Sequence, residues 1–585
     1  MVQTEPAFSR LWIGGQSLGN RAGQEVGLDV AVGLVGLLVV LEATRRTIGW
    51  TLPLMSLAFL AYAWLGSGLP SWLLPHRGYS LERISAQAFL HSQGVFGVAL
   101  AVMFTYVFLF VIFGVILEAT GATGYLIGLA QRLFGRSPGG PAKVAVVSSG
   151  LMGSLSGSAV ANTVTTGTFT IPMMRSAGLS RETACGIEAA ASSGGALMPP
   201  VMGAGAYMML EIVDPPVTYL QIMKAALVPG LLYYLSIFMI VHFHTRRIGT
   251  VQDGRGAETL GPVRLLDLRG VIFFSALASL MLFLLAGYTA FRAVSLSLVV
   301  VLGLSALSSR TRVGPRSLVR ALQKAARDGV PLVAAAACVG IIVAVVTLTG
   351  LGTRLPGLVV PLADDNLLLA LAVIMAASIV LGMGLPSAVC YLLVATLMGP
   401  ALSQLGVVPL AAHLFIFYFG MMSMVTPPVA LAAYAAATIA QAPVLGASFA
   451  AFRFGLVGFT LPYMFVYRPE LLLMGPHANA ASVAAAVVAA VAGIVAFAAG
   501  IAGYLFTTTS VLERVVLFAA SALLLVPAGT FELAGARTAS SDILGALVLA
   551  GVAAANRRRR PAEAVRLPLE PGSRDGAAGA GRTGA

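Results

Sequence analysis

Between residues 27 and 555 apolar runs recur along the chain, separated by short charged or Pro/Gly breaks. Many reach the roughly 20 residues that a helix needs to cross a bilayer. The pattern predicts crossings near 27–43, 48–66, 97–118, 219–241, 270–289, 294–307, 330–350, 446–467, 481–505, 511–528 and 541–555. The fold class it implies is an all-α polytopic membrane protein.

Four regions do not read as simple spans. Residues 144–175, 184–213, 367–403 and 410–441 each carry a Gly/Ser/Pro break in mid-hydrophobic sequence. Halves such as 144–157 cover about 21 Å at about 1.5 Å per residue, short of a hydrocarbon core of about 30 Å. The first pair reads G-S-L-S-G-S-A-V-A-N-T from Gly153 to Thr163, then S-S-G-G-A-L-M-P-P-V-M-G from Ser192 to Gly203. The second reads G-M-G-L-P-S-A-V-C-Y from Gly382 to Tyr391, then G-M-M-S-M-V-T-P-P-V-A from Gly420 to Ala430. Ser158 precedes Pro199 by 41 residues and Ser387 precedes Pro427 by 40, so the two pairs read as an internal repeat.

Positive charge orients the repeat. With Arg557 to Arg560 in the cytoplasm, Arg45, Arg46, Arg132, Arg136, Lys143, Arg175, Arg181, Arg246, Arg247 and a basic loop at 310–327 belong there too. The count closes only if 144–175 enters and leaves on the cytoplasmic side while 184–213 crosses. By the same count 367–403 enters and leaves from outside, and 410–441 crosses inward. The expectation is therefore two inverted halves, each with one re-entrant helical hairpin and one interrupted helix.

Composition agrees with a lipid solvent: 58% of residues are hydrophobic and 10% charged, where a soluble chain carries about a quarter. The net charge of +13 sits in loops and tail without interleaved aromatics, which speaks against a nucleic-acid partner. Cys185, Cys338 and Cys390 lie in apolar surroundings and read as buried thiols, and the six histidines form no transition-metal ligand set. The only lysines, Lys143, Lys224 and Lys324, are not preceded by glycine, so no Walker A sequence can be written. Residues 1–24 lack the apolar core of a cleavable signal, leaving the first span as an uncleaved anchor.

Broken backbone inside a bilayer must be satisfied by protein or water, so such breaks mark a lined cavity. Half-helices starting after Ser158, Pro200, Ser387 and Pro428 would aim N-terminal amides at it. Unwound carbonyls around Gly194, Gly195, Ser423 and Thr426 suit a small cation. Ser154, Ser156, Ser158, Asn162, Thr165, Thr166, Ser387 and Thr426 add oxygens of the kind a hard cation takes. No Lys or Arg lies in the four motifs, so an anionic solute would be balanced by helix ends and co-bound cations. Two further readings stand beside this one. Small and hydroxylated residues also serve helix packing. Glu188, followed by A-A-A-S-S-G-G, either relays protons beside the cavity or lies at the cytoplasmic interface near Arg181.

The runs at 156–172, 188–204, 381–388 and 411–437, with H-R-G-Y-S-L-E-R at 76–83, resemble the fused permeases of tripartite ATP-independent periplasmic (TRAP) transporters. The resemblance covers roughly residues 28–475 and is closest to the branch working with TAXI-type binding proteins. It implies a sodium-driven importer of organic acids in the bacterial inner membrane, fed by a periplasmic solute-binding protein and moving as an elevator. It implies no cofactor and no catalysis. The family's cation and substrate positions carry over to Ser154, Ser156, Ser158, Asn162, Gly194, Gly195, Pro199, Gly382, Gly384, Ser387, Thr426 and Pro427. The expected organisation is a polar segment 1–26, shortened small-subunit-like helices 27–95, and a transport region 96–475 with halves near 97–244 and 330–470. Additional helices follow at 476–555, then a basic disordered tail at 556–585, cytoplasmic by the charge count. A proton-coupled or binding-protein-independent carrier of organic anions is the alternative within transport, and a membrane scaffold or enzyme subunit the alternative outside it.

Overall fold

The computed structural model describes residues 12–13, 16–17, 25–70, 74–249, 267–476, 478–533 and 536–559. Most of segment 1–26, and the tail beyond 559, lie outside the described residues. Within the former, β1 (Trp12–Ile13) and β2 (Gln16–Ser17) pair antiparallel. Among the described residues nine helices are long and apolar enough to cross a membrane, which makes this an all-helical polytopic membrane protein.

The chain begins with α1 (Gly27–Thr47), α2 (Thr51–Leu65) and the short α3 (Leu81–Ser85). Next, α4 (Val98–Val102) and α5 (Phe108–Ala119) form one apolar rod through a π turn at Met103–Val107. The helices α6 (Ala122–Phe134), α7 (Gly140–Ser156), α8 (Ala159–Ser176), α9 (Arg181–Ser193), α10 (Ala204–Ile212) and α11 (Tyr219–Ile248) follow. Thr218 starts α11 as a capping box, its side chain accepting from the Gln221 amide while Gln221 Oε1 accepts from the Thr218 amide at 2.7 Å. After α12 (Leu268–Leu285), α13 (Ala290–Ser305), α14 (Pro315–Thr349), α15 (Leu351–Arg354) and α16 (Pro356–Asp365) come α17 (Leu367–Gly382) and α18 (Ser387–Gln404). The chain continues through α19 (Pro409–Met422), α20 (Leu431–Ala440), α21 (Val444–Gly455) and α22 (Leu461–Tyr467). It closes with α23 (Ala480–Ala502), α24 (Val511–Leu525), a ribbon of β3 (Thr530–Leu533) and β4 (Ala536–Ala539), and α25 (Ser540–Arg558).

Packing divides these helices into two bundles and an appendage. In the first, α1, α2 and α5 lie against α14, and α12 lies against α13. Thr44 Oγ1 donates to the Ala334 carbonyl at 3.0 Å, Ser56 Oγ to that of Cys338 at 3.2 Å, and Lys324 pairs with Glu118 at 2.6 Å. The second bundle holds α7–α11 and α17–α22, with α9 against α20 and α21, and α10 against α18. Between the bundles a cavity of about 170 Å³ is lined by Ser92, Gln93, Gly94, Gly340, Thr347 and Leu392. The appendage, α23–α25, rests on α11.

Each expected crossing coincides with a helix. Four details differ. The expected basic loop at 310–327 is mostly helix, because α14 starts at Pro315 and buries Ala321, Ala325 and Gly329 at four-residue spacing while its arginines point away. Proline at the first helical turn and Ala, Leu, Gln, Lys and Arg after it favour that start. The tail is helical as far as Arg558. The helices after the two Pro-Pro pairs begin later than expected, at Ala204 and Leu431 rather than directly after Pro200 and Pro428. Lastly, α6, α16 and the β3–β4 ribbon were not anticipated.

Candidate functional site

The residues singled out by the sequence fall into two clusters. In the first, α7 and α8 pack side by side and are joined by Gly157, at φ +57°, and Ser158. Ser158 caps α8, its Oγ accepting from the Ala161 amide at 3.4 Å. This tip presses on the break after α9: a Cβ on Gly153 would lie 2.4 Å from the Gly195 Cα, so both positions are held to glycine by direct backbone contact.

The break itself is a single 3₁₀ turn, Gly194–Ala196, followed by a cis Pro199–Pro200 bond. Helix ends leave carbonyls without partners, and lipid offers none. Four tyrosines supply them. Tyr233 Oη donates to the Ala190 carbonyl at 2.7 Å and Tyr234 Oη to that of Ala191 at 3.0 Å. On the far side Tyr219 Oη lies 2.7 Å from the Pro200 oxygen and 2.6 Å from that of Val201, and Tyr207 also donates to Val201. Tyr219→Phe is therefore expected to destabilise the protein by about 1–3 kcal/mol, the range for a buried acceptor that loses its donor. A lower thermal unfolding midpoint in detergent checks it.

Glu188 lies inside the second bundle rather than on its surface. It is wholly buried six residues before the break at Gly194. Its Oε1 accepts from Ser149 Oγ at 2.8 Å, from Ser192 Oγ at 3.1 Å and from the Thr166 hydroxyl, while Oε2 accepts from Thr170 at 2.5 Å. One carboxylate thus ties α7, α8 and α9 together. Beside it Asn162 Nδ2 donates to the Ser149 carbonyl at 2.9 Å. Asn162 Oδ1 and Ser156 Oγ are buried with no hydrogen-bond partner among the described residues. Ser154, by contrast, bonds its own helix at Leu151, as the packing alternative expects, and Thr165 is half-buried.

In the second cluster Gly382–Ser387 joins α17 to α18, with Gly384 at φ +75°. Ser423 Oγ reaches the Gly382 carbonyl at 3.0 Å and that of Gly420 at 2.7 Å, so this tip also sits on a break. The break is the turn Ser423–Val425 with a cis Pro427–Pro428 bond, and Thr426 Oγ1 caps the Met422 carbonyl at 2.8 Å. Ser387 is buried as the first residue of α18. The clusters touch where Ser193 Oγ donates to the Met421 carbonyl at 3.2 Å.

Not every recognised run belongs to the site. In H-R-G-Y-S-L-E-R, His76 braces a loop on α2: Nδ1 accepts from the Gly78 amide at 3.1 Å and Nε2 lies 3.1 Å from the Tyr62 carbonyl. The three cysteines are buried thiols, with Cys185 donating to the Ala436 carbonyl at 3.3 Å. Ser149, Thr170, Ser193 and the four tyrosines escaped the sequence reading. A hydroxyl inside an apolar run near a Pro-Pro break was the available signal.

Residues 35–479 match the family described as Tripartite ATP-independent periplasmic transporter, DctM component. The chain is 24% identical over 379 residues to the 2,3-diketo-L-gulonate TRAP transporter large permease protein YiaN of Escherichia coli K12, covering 62% of this chain and 84% of that one. It is also 24% identical over 422 residues to a putative TRAP transporter large permease protein of Haemophilus influenzae, covering 71% and 94%. A third, shorter similarity, 28% over 138 residues, covers 24% of this chain and 31% of the uncharacterized protein YgiK of Salmonella typhimurium.

Proposed function

This chain belongs to the DctM component family of TRAP transporters, a permease that moves solute with a periplasmic binding protein, and from that premise we propose a sodium-driven importer of organic acids. In this reading it sits in the bacterial inner membrane with its tail in the cytoplasm, takes solute from a TAXI-type binding protein, and has two inverted halves that move as an elevator. Residues 27–95 contribute scaffold helices, and 96–475 the transport region.

The observation that carries the sodium assignment is the pair of buried oxygens without partners, Asn162 Oδ1 and Ser156 Oγ, beside the Gly153–Gly195 contact. A desolvated acceptor is costly unless something occupies it, and an amide oxygen among hydroxyls and unwound carbonyls suits sodium. Ser154, Ser158, Thr166, Gly194 and Gly195 complete that half. Gly382, Gly384, Ser387, Ser423, Thr426 and Pro427 form the other, with Pro199 and Pro200 at the crossing. The acid is what the family resemblance implies; because the motifs hold no Lys or Arg, helix ends and co-bound cations would have to balance its charge. The solute naming the Escherichia coli relative is itself a carboxylate.

The elevator reading draws support from axial register. If Arg45 and Arg46 face the cytoplasm, Thr51 is the inner end of α2, and a Cβ on Gly384 would lie 3.0 Å from its Oγ1. Gly114, near the inner end of α5, likewise abuts the Leu155 carbonyl of the other tip. Tyr219, at the outer end of α11, faces Phe110 with ring centroids 6.0 Å apart. Phe110 lies twelve residues along the rod from Val98, about 18 Å at about 1.5 Å per residue. On this proposed orientation the second bundle would stand inward relative to the first.

Uptake by the purified permease in liposomes, with sodium, pH and the binding protein varied separately, tests the proposal. Accumulation that needs neither sodium nor a soluble partner overturns it. Ser158→Leu and Thr426→Val are expected to insert normally and to lower sodium-dependent uptake about tenfold, the effect of about 1.4 kcal/mol. Unchanged uptake by both would remove these residues from the site. A second reading rests on Glu188, whose complete burial among four hydroxyls suits a proton carrier. Uptake driven by a pH gradient alone distinguishes it.

A further inference from the structure

The family match ends at residue 479, and α23 begins at Ala480. The three helices beyond it are internally bound. Ser521 Oγ donates to the Gly493 carbonyl at 2.9 Å, and Asn556 Oδ1 accepts the amides of Phe506 and Thr507 at 3.0 Å each. Their principal packing partners in the rest of the chain are α11 and the short turns Leu456–Thr460 and Pro469–Leu472 around α22.

Contacts fix the appendage at both ends. At one, Arg468 and Asp542 form an ion pair whose side chains are only 8% and 12% exposed, and Asp542 Oδ2 also accepts the Ala539 amide at 3.2 Å. At the other, Arg247 of α11 donates to the Ala502 carbonyl at 2.9 Å, capping the last turn of α23. Sliding α23 along α11 by even one turn, about 5.4 Å, would break both contacts and leave a buried charge unpaired.

We propose that α23–α25 ride on the moving bundle and travel with it past the α1–α2–α5–α14 bundle during transport. The inference rests on the elevator reading above. It gives the appendage a mechanical place, that of a passenger sheathing α11 from lipid.

Two cysteine pairs test it in the full-length permease reconstituted with its binding protein. Arg468→Cys with Asp542→Cys, bridged by a short bismaleimide, joins appendage to bundle. Thr347→Cys with Leu392→Cys, both lining the cavity between the bundles, joins the two bundles. Bridging the first pair is expected to leave uptake within about twofold of the unbridged protein, while bridging the second lowers it at least about tenfold, a change of about 1.4 kcal/mol. Should the first variant fold poorly, Arg247→Cys with Gly503→Cys makes the same link at the opposite end, where a Cβ on Gly503 would lie 2.8 Å from Arg247 Nη1. If the appendage bridge alone stops uptake, the inference falls and the elevator reading stands. If neither bridge matters, the elevator reading falls and takes the inference with it.

Discussion

Gly153→Ala is expected to lower solute uptake by at least tenfold, to about the background of empty liposomes, while the protein still inserts. The added methyl would sit 2.4 Å from the Gly195 Cα, a backbone atom that cannot rotate away, and 3.3 Å from Asn162 Nδ2. Overpacking of this kind typically costs about 1–3 kcal/mol. Here the two backbones must part, moving the α7–α8 tip off the break and shifting the Asn162 amide whose oxygen we propose as a cation ligand. Gly195→Ala should behave alike, since its Cβ would lie 2.6 Å from the Gly153 Cα. Uptake assays with matched protein per vesicle provide the check. Wild-type rates from both variants would mean that the close approach is incidental to transport.

Glu188 separates stability from coupling through two substitutions. Glu188→Leu removes the acceptor shared by Ser149, Thr166, Thr170 and Ser192; Thr166 and Thr170 keep the Asn162 and Thr166 carbonyls as acceptors, whereas each donor left unpaired costs about 1–3 kcal/mol. The expected result is a chain that unfolds far earlier in detergent or fails to accumulate. Glu188→Gln keeps the volume and one carbonyl acceptor, and fixes the group without charge. Under sodium coupling it should retain sodium-driven uptake at a reduced rate. Under proton coupling it should abolish uptake driven by a pH gradient even where solute still binds. A Gln variant responding to both gradients like the wild type would exclude Glu188 from coupling.

Long apolar helices were legible because crossing length and hydropathy are properties of a continuous stretch. The start of α14 was not, since arginines at 316, 320 and 327 read as a loop until the buried face of Ala321, Ala325 and Gly329 is seen. The two glycine-rich tips and Pro-Pro breaks could be found from spacing alone, yet that spacing carries no information on what satisfies the breaks. Tyr233 and Tyr234 lie 43 residues from the carbonyls they cap, a pairing visible only once α11 lies against α9. Glu188 shows the same limit. Its neighbours in sequence fit an exposed or a buried position equally, and only the folded chain shows it enclosed by hydroxyls from α7 and α8.

Two lipid-facing helices are short. α24 has 15 residues and α13 has 16, about 22–24 Å at about 1.5 Å per residue. Val299 on α13 and Val511 and Leu512 on α24 are among the most exposed apolar side chains. A hydrocarbon core of about 30 Å meets such helices by thinning, at fractions of a kcal/mol per Å of mismatch. The protein should therefore wear a collar of compressed bilayer, and the elastic strain of that collar becomes part of the energy difference between its conformations.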